Sequence, residues 1–316
     1  MKKLILSTAF LFAVFLVFSQ QDAQFTQNMF NKLNVNPGSA GHNGGFCGTL
    51  LTRTQWIGFD GRPQTHLFSG DARFGKHGVG LTFFQDQLGI EKSLVIKGAY
   101  AYHLQLGPGE LGIGLDIGMT NRSFGNNFVA IDDYTQDPSI PNAGTSAWKY
   151  DASFGVFYEI KETMYVGIST LHIPQNNFED AANGGGEGAL KFEQARHYYI
   201  MAGYDWDVSG GSRKWVVKPS ILAKTDLSAT QLDVNALVEY NKLVWGGVSF
   251  RAQDAIAILA GVHVPQLPGL KIGVAYDITT SSLGDHTSGS LEFMVKYCMN
   301  INKTPKREVY HSVRFL

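Results

Sequence analysis

The sequence predicts an all-β protein, a transmembrane antiparallel β-barrel of the outer membrane with about fourteen strands, short periplasmic turns and longer extracellular loops. Three observations predict it. Hydrophobicity alternates with a period of two from Phe46 almost to the C-terminus. A secretory segment precedes that region, and after Gln20 no run reaches the ~18 apolar residues that a membrane helix requires.

The opening stretch MKKLILSTAFLFAVFLVFSQQ reads as a signal peptide over residues 1–19. Lys2 and Lys3 supply its charged start and Leu4 to Phe18 its apolar run, while Val17 and Ser19 are small enough for cleavage before Gln20. No cysteine lies at that junction, so no lipid-anchored mature end is expected. Residues 20–45 follow without strand alternation; they are polar but punctuated by Phe25, Met29, Phe30, Leu33 and Val35. This spacing fits a disordered leader, a segment packed inside the barrel, or one held against a periplasmic partner.

The barrel is expected over residues 46–300. In ELGIGLDIGMT, Leu111, Ile113, Leu115, Ile117 and Met119 share one face, opposite Gly112, Gly114, Asp116 and Gly118. QLDVNALVEY, LKIGVAYDI and LEFMVKYC repeat the pattern. Strands are predicted to start near Phe46, Thr65, Gly78, Ser93, Leu111, Trp148, Met164, His197, Trp215, Gln231, Leu243, Ile256, Leu270 and Ser290. An even strand number returns the chain to the periplasm. With the first strand running outward, the even connections (GKHG, LGPGE, IKET, VSGGS, NK, PQLPG) are short, and the odd ones include the two longest loops. A secreted β-sandwich would share the alternation but gives no reason for a short–long rhythm. Residues 301–316 form a periplasmic tail beyond the last strand, ending in the basic and aromatic Arg314, Phe315 and Leu316.

Composition narrows the function. Lys+Arg 26 against Asp+Glu 27 leaves no basic surplus for nucleic acid. Glycine at 36 residues and aromatics at 12% suit a barrel. The nine histidines show no metal-binding spacing, and Asp132, Asp133 and Asp137 sit in a long loop without an EF-hand pattern. NGGGEGAL lacks the Lys-Ser/Thr of a phosphate loop, and no Gly-x-Ser-x-Gly elbow occurs. No catalytic residue, cofactor or metal is expected. Cys47 and Cys298 fall near the periplasmic ends of the first and last strands, facing inward; a disulfide across the closing seam is conceivable in the oxidising envelope, but a register offset of a few residues would keep their α-carbons beyond the ~7 Å limit of a bridge, and two free residues are the expectation.

Two phrases carry a family resemblance. QDAQFTQNMFNKLNVNPGSAG resembles the mature start of PorP/SprF-type outer-membrane proteins of the type IX secretion system, with its closing Asn-Pro-x-x-Ala-Gly. RTQWIGFDGRPQTH is similar to that family's Arg-x-Gln-Trp segment and Gly-x-Pro-x-Thr turn, here Arg53, Gln55, Trp56, Gly58, Gly61, Pro63 and Thr65. HSVRFL resembles its ending, with Val313 where proline is usual. The resemblance implies an outer-membrane barrel tied to secretion and gliding, whose partners are a secreted surface adhesin bearing a type IX C-terminal domain and periplasmic ring or peptidoglycan-linked components.

On that reading the first outer turn binds the adhesin or plugs the pore. Trp56 and Phe59 are its anchors, since aromatics dominate interface hot spots, with Arg53, Gln55, Asp60, Arg62 and Pro63 around them. Periplasmic contacts are expected from Phe25, Phe30, Asn36 and Pro37 and from Arg314, Phe315 and Leu316. The alternative is a passive pore or small-solute transporter whose path is the lumen.

Overall fold

The computed structural model describes residues 22–125, 146–179 and 191–299. The signal peptide, the Asp132–Asp137 loop and the tail with Arg314, Phe315 and Leu316 lie outside the described residues.

The first half of the barrel comprises β1 (Phe46–Thr54), β2 (Gln64–Phe74), β3 (His77–Leu88), β4 (Glu91–Leu106), β5 (Gly109–Phe124), β6 (Ser146–Ile160) and β7 (Met164–Leu171). A small hairpin, β8 (Asn177–Glu179) with β9 (Lys191–Glu193), stands outside the sheet. The second half comprises β10 (His197–Tyr204), the two-residue β11 (Trp206–Asp207), β12 (Trp215–Thr225), β13 (Thr230–Tyr240), β14 (Val244–Arg251), β15 (Ala255–His263), β16 (Leu270–Thr279) and β17 (Ser290–Met299). Each strand pairs antiparallel with its neighbours, β10 with β12 and β17 with β1, so fourteen strands close on themselves and β11 merely extends one edge. The structure is the expected transmembrane β-barrel of the outer membrane.

Alternation places apolar side chains outward. Leu115 and Ile117 on β5, Ile168 on β7, Ile258 on β15 and Phe293 on β17 are all exposed, forming the lipid-facing belt. No helix among the described residues is long and apolar enough to cross a membrane. The rim where β1 begins and β17 ends is called the near rim, the opposite one the far rim. Connections at the near rim are mostly tight, such as Gly75–Lys76 and Gly107–Pro108. The predicted rhythm is not regular, however. β3 and β4 join at the far rim through Gly89 and Ile90 alone, and residues 205–214 make a longer near-rim connection containing β11.

Residues 22–45 lie inside the barrel. They form three short 3-10 turns, Asn28–Phe30, Lys32–Asn34 and Pro37–Ser39, and their apolar side chains seed the core. Phe25 packs with Leu51, Leu67, Trp245, Leu259 and Met294; Val35 packs with Phe157, Leu171, Tyr199 and Met201; Leu33 packs with Ala40 and Ala101. These clusters reach strands all round the wall, so the middle of the lumen is a packed interior.

Cys47 and Cys298 are bonded to each other, contrary to the expectation of free thiols. The offset that would have forbidden the bridge does not occur: β1 and β17 pair in a register that sets the two residues directly opposite, with α-carbons 4.1 Å apart. The bond spans 251 residues of sequence. Replacing both cysteines by serine is expected to lower stability by about 2–5 kcal/mol, chiefly by freeing the unfolded chain. Chemical unfolding of the detergent-solubilised barrel, with and without reductant, checks this.

Candidate functional site

Two features stand out from an ordinary barrel: the filled lumen and the far-rim turn between β1 and β2.

The N-terminal segment is held at both ends by groups whose buried charges are satisfied by its backbone. Toward the far rim, the N–H groups of Thr26 and Gln27 donate to the two carboxylate oxygens of Glu292 at 2.7 and 2.8 Å. The Thr26 hydroxyl donates to Asp277 at 2.8 Å. Arg53 bridges both carboxylates, 2.7 Å from Asp277 and 3.3 Å from Glu292, and Arg251 links Asp277 at 3.1 Å to Asp233 at 3.2 Å. Arg53 is only 2% exposed. Its guanidinium is taken up by these internal ties.

A second far-side cluster gathers around Asp22. His172, just past β7, places Nε2 3.2 Å from Asp22 and Nδ1 2.7 Å from Asp151, which pairs with Lys97 at 2.9 Å. Tyr199 donates to Asp22 at 3.0 Å, and Lys224 donates to its backbone carbonyl at 3.1 Å. Burial opposes a charge on His172, but the Asp22 and Asp151 carboxylates outweigh it and raise the imidazole pKa to about 9. Burial would likewise raise the Asp22 carboxyl, yet His172, His197 and Lys224 hold it well below its ordinary range.

Toward the near rim, Lys296 donates to the Phe30 carbonyl at 2.7 Å and Gly41 N–H to Asp71 at 2.8 Å. His103 donates to the Ala40 carbonyl at 2.7 Å and places its other nitrogen 2.9 Å from Glu110, itself gripped by both terminal nitrogens of Arg73. The phrase NPGSAG is explained here. Asn36 donates to the Val156 and Ile168 carbonyls of the wall, while its own carbonyl oxygen receives Gly38 N–H. Wall glycines admit the segment's backbone: a Cβ on Gly112 would lie 2.1 Å from the Gly38 oxygen, and one on Gly78 1.9 Å from the Ala40 oxygen.

Four of the residues expected to make periplasmic contacts lie within the barrel. Phe25, Asn36 and Pro37 are buried inside the lumen, and Phe30 packs at a tilt against Trp245 with ring centroids 4.6 Å apart. The described part of the segment spends its apolar and amide groups on the barrel wall.

The far-rim turn is tied across the seam to the loop before β17. Trp56 N–H donates to the Ser290 hydroxyl at 3.1 Å, Ile57 N–H to the Gly289 carbonyl and Ser288 N–H back to Ile57, each at 2.8 Å. Trp56 adopts φ 54°, a left-handed conformation costly for an aromatic residue, by about 1–3 kcal/mol. Phe59 is 45% exposed and Asp60 is exposed, whereas Pro63 is buried and Arg62 half-buried. Gln55, Trp56 and Pro63 line a recess of about 410 Å³ that Asp22, Gln24, Asp86 and Gln231 also line. Turn and N-terminal segment thus share one far-rim cavity.

The sequence profile of the family described as "Type IX secretion system membrane protein PorP/SprF" matches residues 17–297, from the N-terminal segment through the last strand. The chain belongs to the PorP/SprF family. Its members are membrane proteins of the type IX secretion system. No curated protein sequence matches this chain. Among solved structures, this PorP/SprF protein is similar to the CymD monoaromatic hydrocarbon channel, at 12% identity and TM-score 0.49 over 86% of this chain and 92% of that one. It is also similar to the Pseudomonas putida toluene transporter TodX, at 10% identity and TM-score 0.48 over 89% and 95%. A third is the translocator domain of autotransporter NalP from Neisseria meningitidis, at 15% identity and TM-score 0.45 over 86% and 95%. Likeness at this level carries no conclusion about what passes or binds.

Proposed function

We propose that this barrel is a non-catalytic partner-binding component of the type IX secretion and gliding machinery. It binds, helps export or anchors at the cell surface a large adhesin through that protein's C-terminal domain, and contacts periplasmic ring or peptidoglycan-linked components. The near rim faces the periplasm, where both ends of a bacterial outer-membrane barrel lie; the far rim faces outward. The observation that carries this reading is the occupied lumen: residues 22–45 fill the space a solute would cross and are held there by hydrogen bonds to the buried wall carboxylates Glu292 and Asp277. A filled barrel suits a display platform, and the far-rim turn offers exposed Phe59 on a backbone stapled to the neighbouring loop.

Affinity purification of the tagged protein from native membranes tests the reading. A large surface protein with a type IX C-terminal domain is expected to co-purify. Its absence, together with steady single-channel conductance, would establish the alternative, a passive pore or small-solute transporter. The 410 Å³ recess favours that alternative only as an entrance. Trp56→Ala is expected to reduce surface display of the adhesin severalfold while the barrel still inserts and shifts mobility on heating. Cell-surface labelling beside semi-native electrophoresis checks both; a barrel that fails to insert would make Trp56 a structural residue.

A further inference from the structure

The cluster at the far end of the N-terminal segment has a chemistry beyond plugging. We propose that Asp22, His172 and His197 form a site for a divalent transition metal of the zinc class, which clasps the N-terminal segment to the far ends of β7 and β10. Zinc takes imidazole nitrogen and carboxylate oxygen at ~2.0–2.2 Å, so donors in a tetrahedral shell stand ~3.3 Å apart. His172 Nε2 lies 3.2 Å from Asp22, and His197 Nδ1 lies 3.7 Å from it. One ligand atom from each of the three residues falls within 4.8 Å of the others. Both imidazoles are buried, at 6% and 3% exposure.

A second observation points the same way. A metal-binding histidine is usually oriented by a carboxylate on its other nitrogen. Asp151, fully buried, holds His172 Nδ1 at 2.7 Å and is itself fixed by Lys97 at 2.9 Å. Lys97 thereby neutralises Asp151, while Lys224 turns to the Asp22 backbone carbonyl. The Asp22 carboxylate faces the two imidazoles and the Tyr199 hydroxyl, which suits a cation placed between them. The ion replaces the Nε2 proton that His172 now shares with Asp22, which is released to solvent; the Nδ1 proton that His197 donates to the Ala195 carbonyl moves to Nε2, freeing the Nδ1 lone pair for the ion, and solvent supplies the fourth ligand. Three separate pieces of chain would then be joined at one point, and undocking the segment would require releasing the ion.

The test is calorimetric titration of Zn²⁺ into full-length, tag-free protein in detergent micelles, stripped beforehand with chelator. One Zn²⁺ per chain is expected, with a raised thermal unfolding midpoint. His172→Ala and His197→Ala are each expected to weaken binding by about 100-fold or more, and Asp151→Asn by about 10–100-fold as an outer partner. Asp22→Asn, which lies outside the strands and leaves the barrel able to fold, is expected to weaken it comparably to the histidine variants. No saturable binding by the unaltered protein, or binding unchanged in Asp22→Asn and His197→Ala, would overturn the proposal.

Discussion

Arg53→Ala is expected to destabilise the closed state by about 3–5 kcal/mol and to release the N-terminal segment from the lumen. The magnitude follows from what remains. Asp277 and Glu292 are 1% and 0% exposed, and Arg53 is the only cation that touches both of them among the described residues. Removing one partner of a buried ion pair leaves its charge uncompensated in a medium that solvates it poorly. Arg251 still reaches Asp277, so the loss falls mainly on Glu292. Glu292 is also the acceptor for the Thr26 and Gln27 backbone, and if it takes up a proton to shed its charge it holds those N–H groups less strongly. Limited proteolysis of the segment and planar-bilayer recordings check the outcome. The unaltered barrel is expected to be silent and the variant to open discrete conducting states. Arg53→Lys should recover little of the loss, since one ammonium cannot span both carboxylates as the guanidinium fork does.

Gly112→Leu is expected to have a comparable effect by a different route. It adds volume where the wall and the segment touch backbone to backbone. A Cβ alone would approach the Gly38 oxygen to 2.1 Å, and leucine carries three further carbons. The clash cannot be relieved by a rotamer, because the obstructing atom belongs to a main chain pinned by Asn36 and by the Ala40–His103 bond. Strand β5 itself can accept leucine, as it already carries Leu111 and Leu115. The barrel is therefore expected to form while residues 36–41 are displaced. Unchanged heat-modifiable mobility combined with new protease sensitivity before Phe46 would bear this out; a segment still protected would contradict it.

The barrel was legible in the sequence because a strand that faces lipid on one side writes its geometry into every second residue. Leu115 and Ile117 are outward as their alternation requires, and predicted strand starts such as Met164, His197, Trp215 and Leu270 coincide with observed ones. What lies inside was not legible. Arg53 finds its carboxylates 224 and 239 residues away, and His172 meets Asp22 across 150 residues, distances at which no local spacing rule operates. The Cys47–Cys298 bond depended on register to a single residue, which alternation constrains only in parity. The far-rim turn reads as apolar yet turn-rich because its aromatics sit on a bent backbone closed against another loop, which neither strand nor loop composition anticipates.

The Cys47–Cys298 bond has a consequence for the closure of the wall. It makes the wall a covalent hoop at the place where an all-antiparallel barrel would otherwise be simplest to unzip, between its first and last strands. Without reduction, β1 and β17 cannot part completely, because their near-rim ends stay joined. The bond also dates the molecule's assembly. Oxidation requires the two strands to have met in register, and once it has occurred the hoop cannot reopen to admit a strand from another chain.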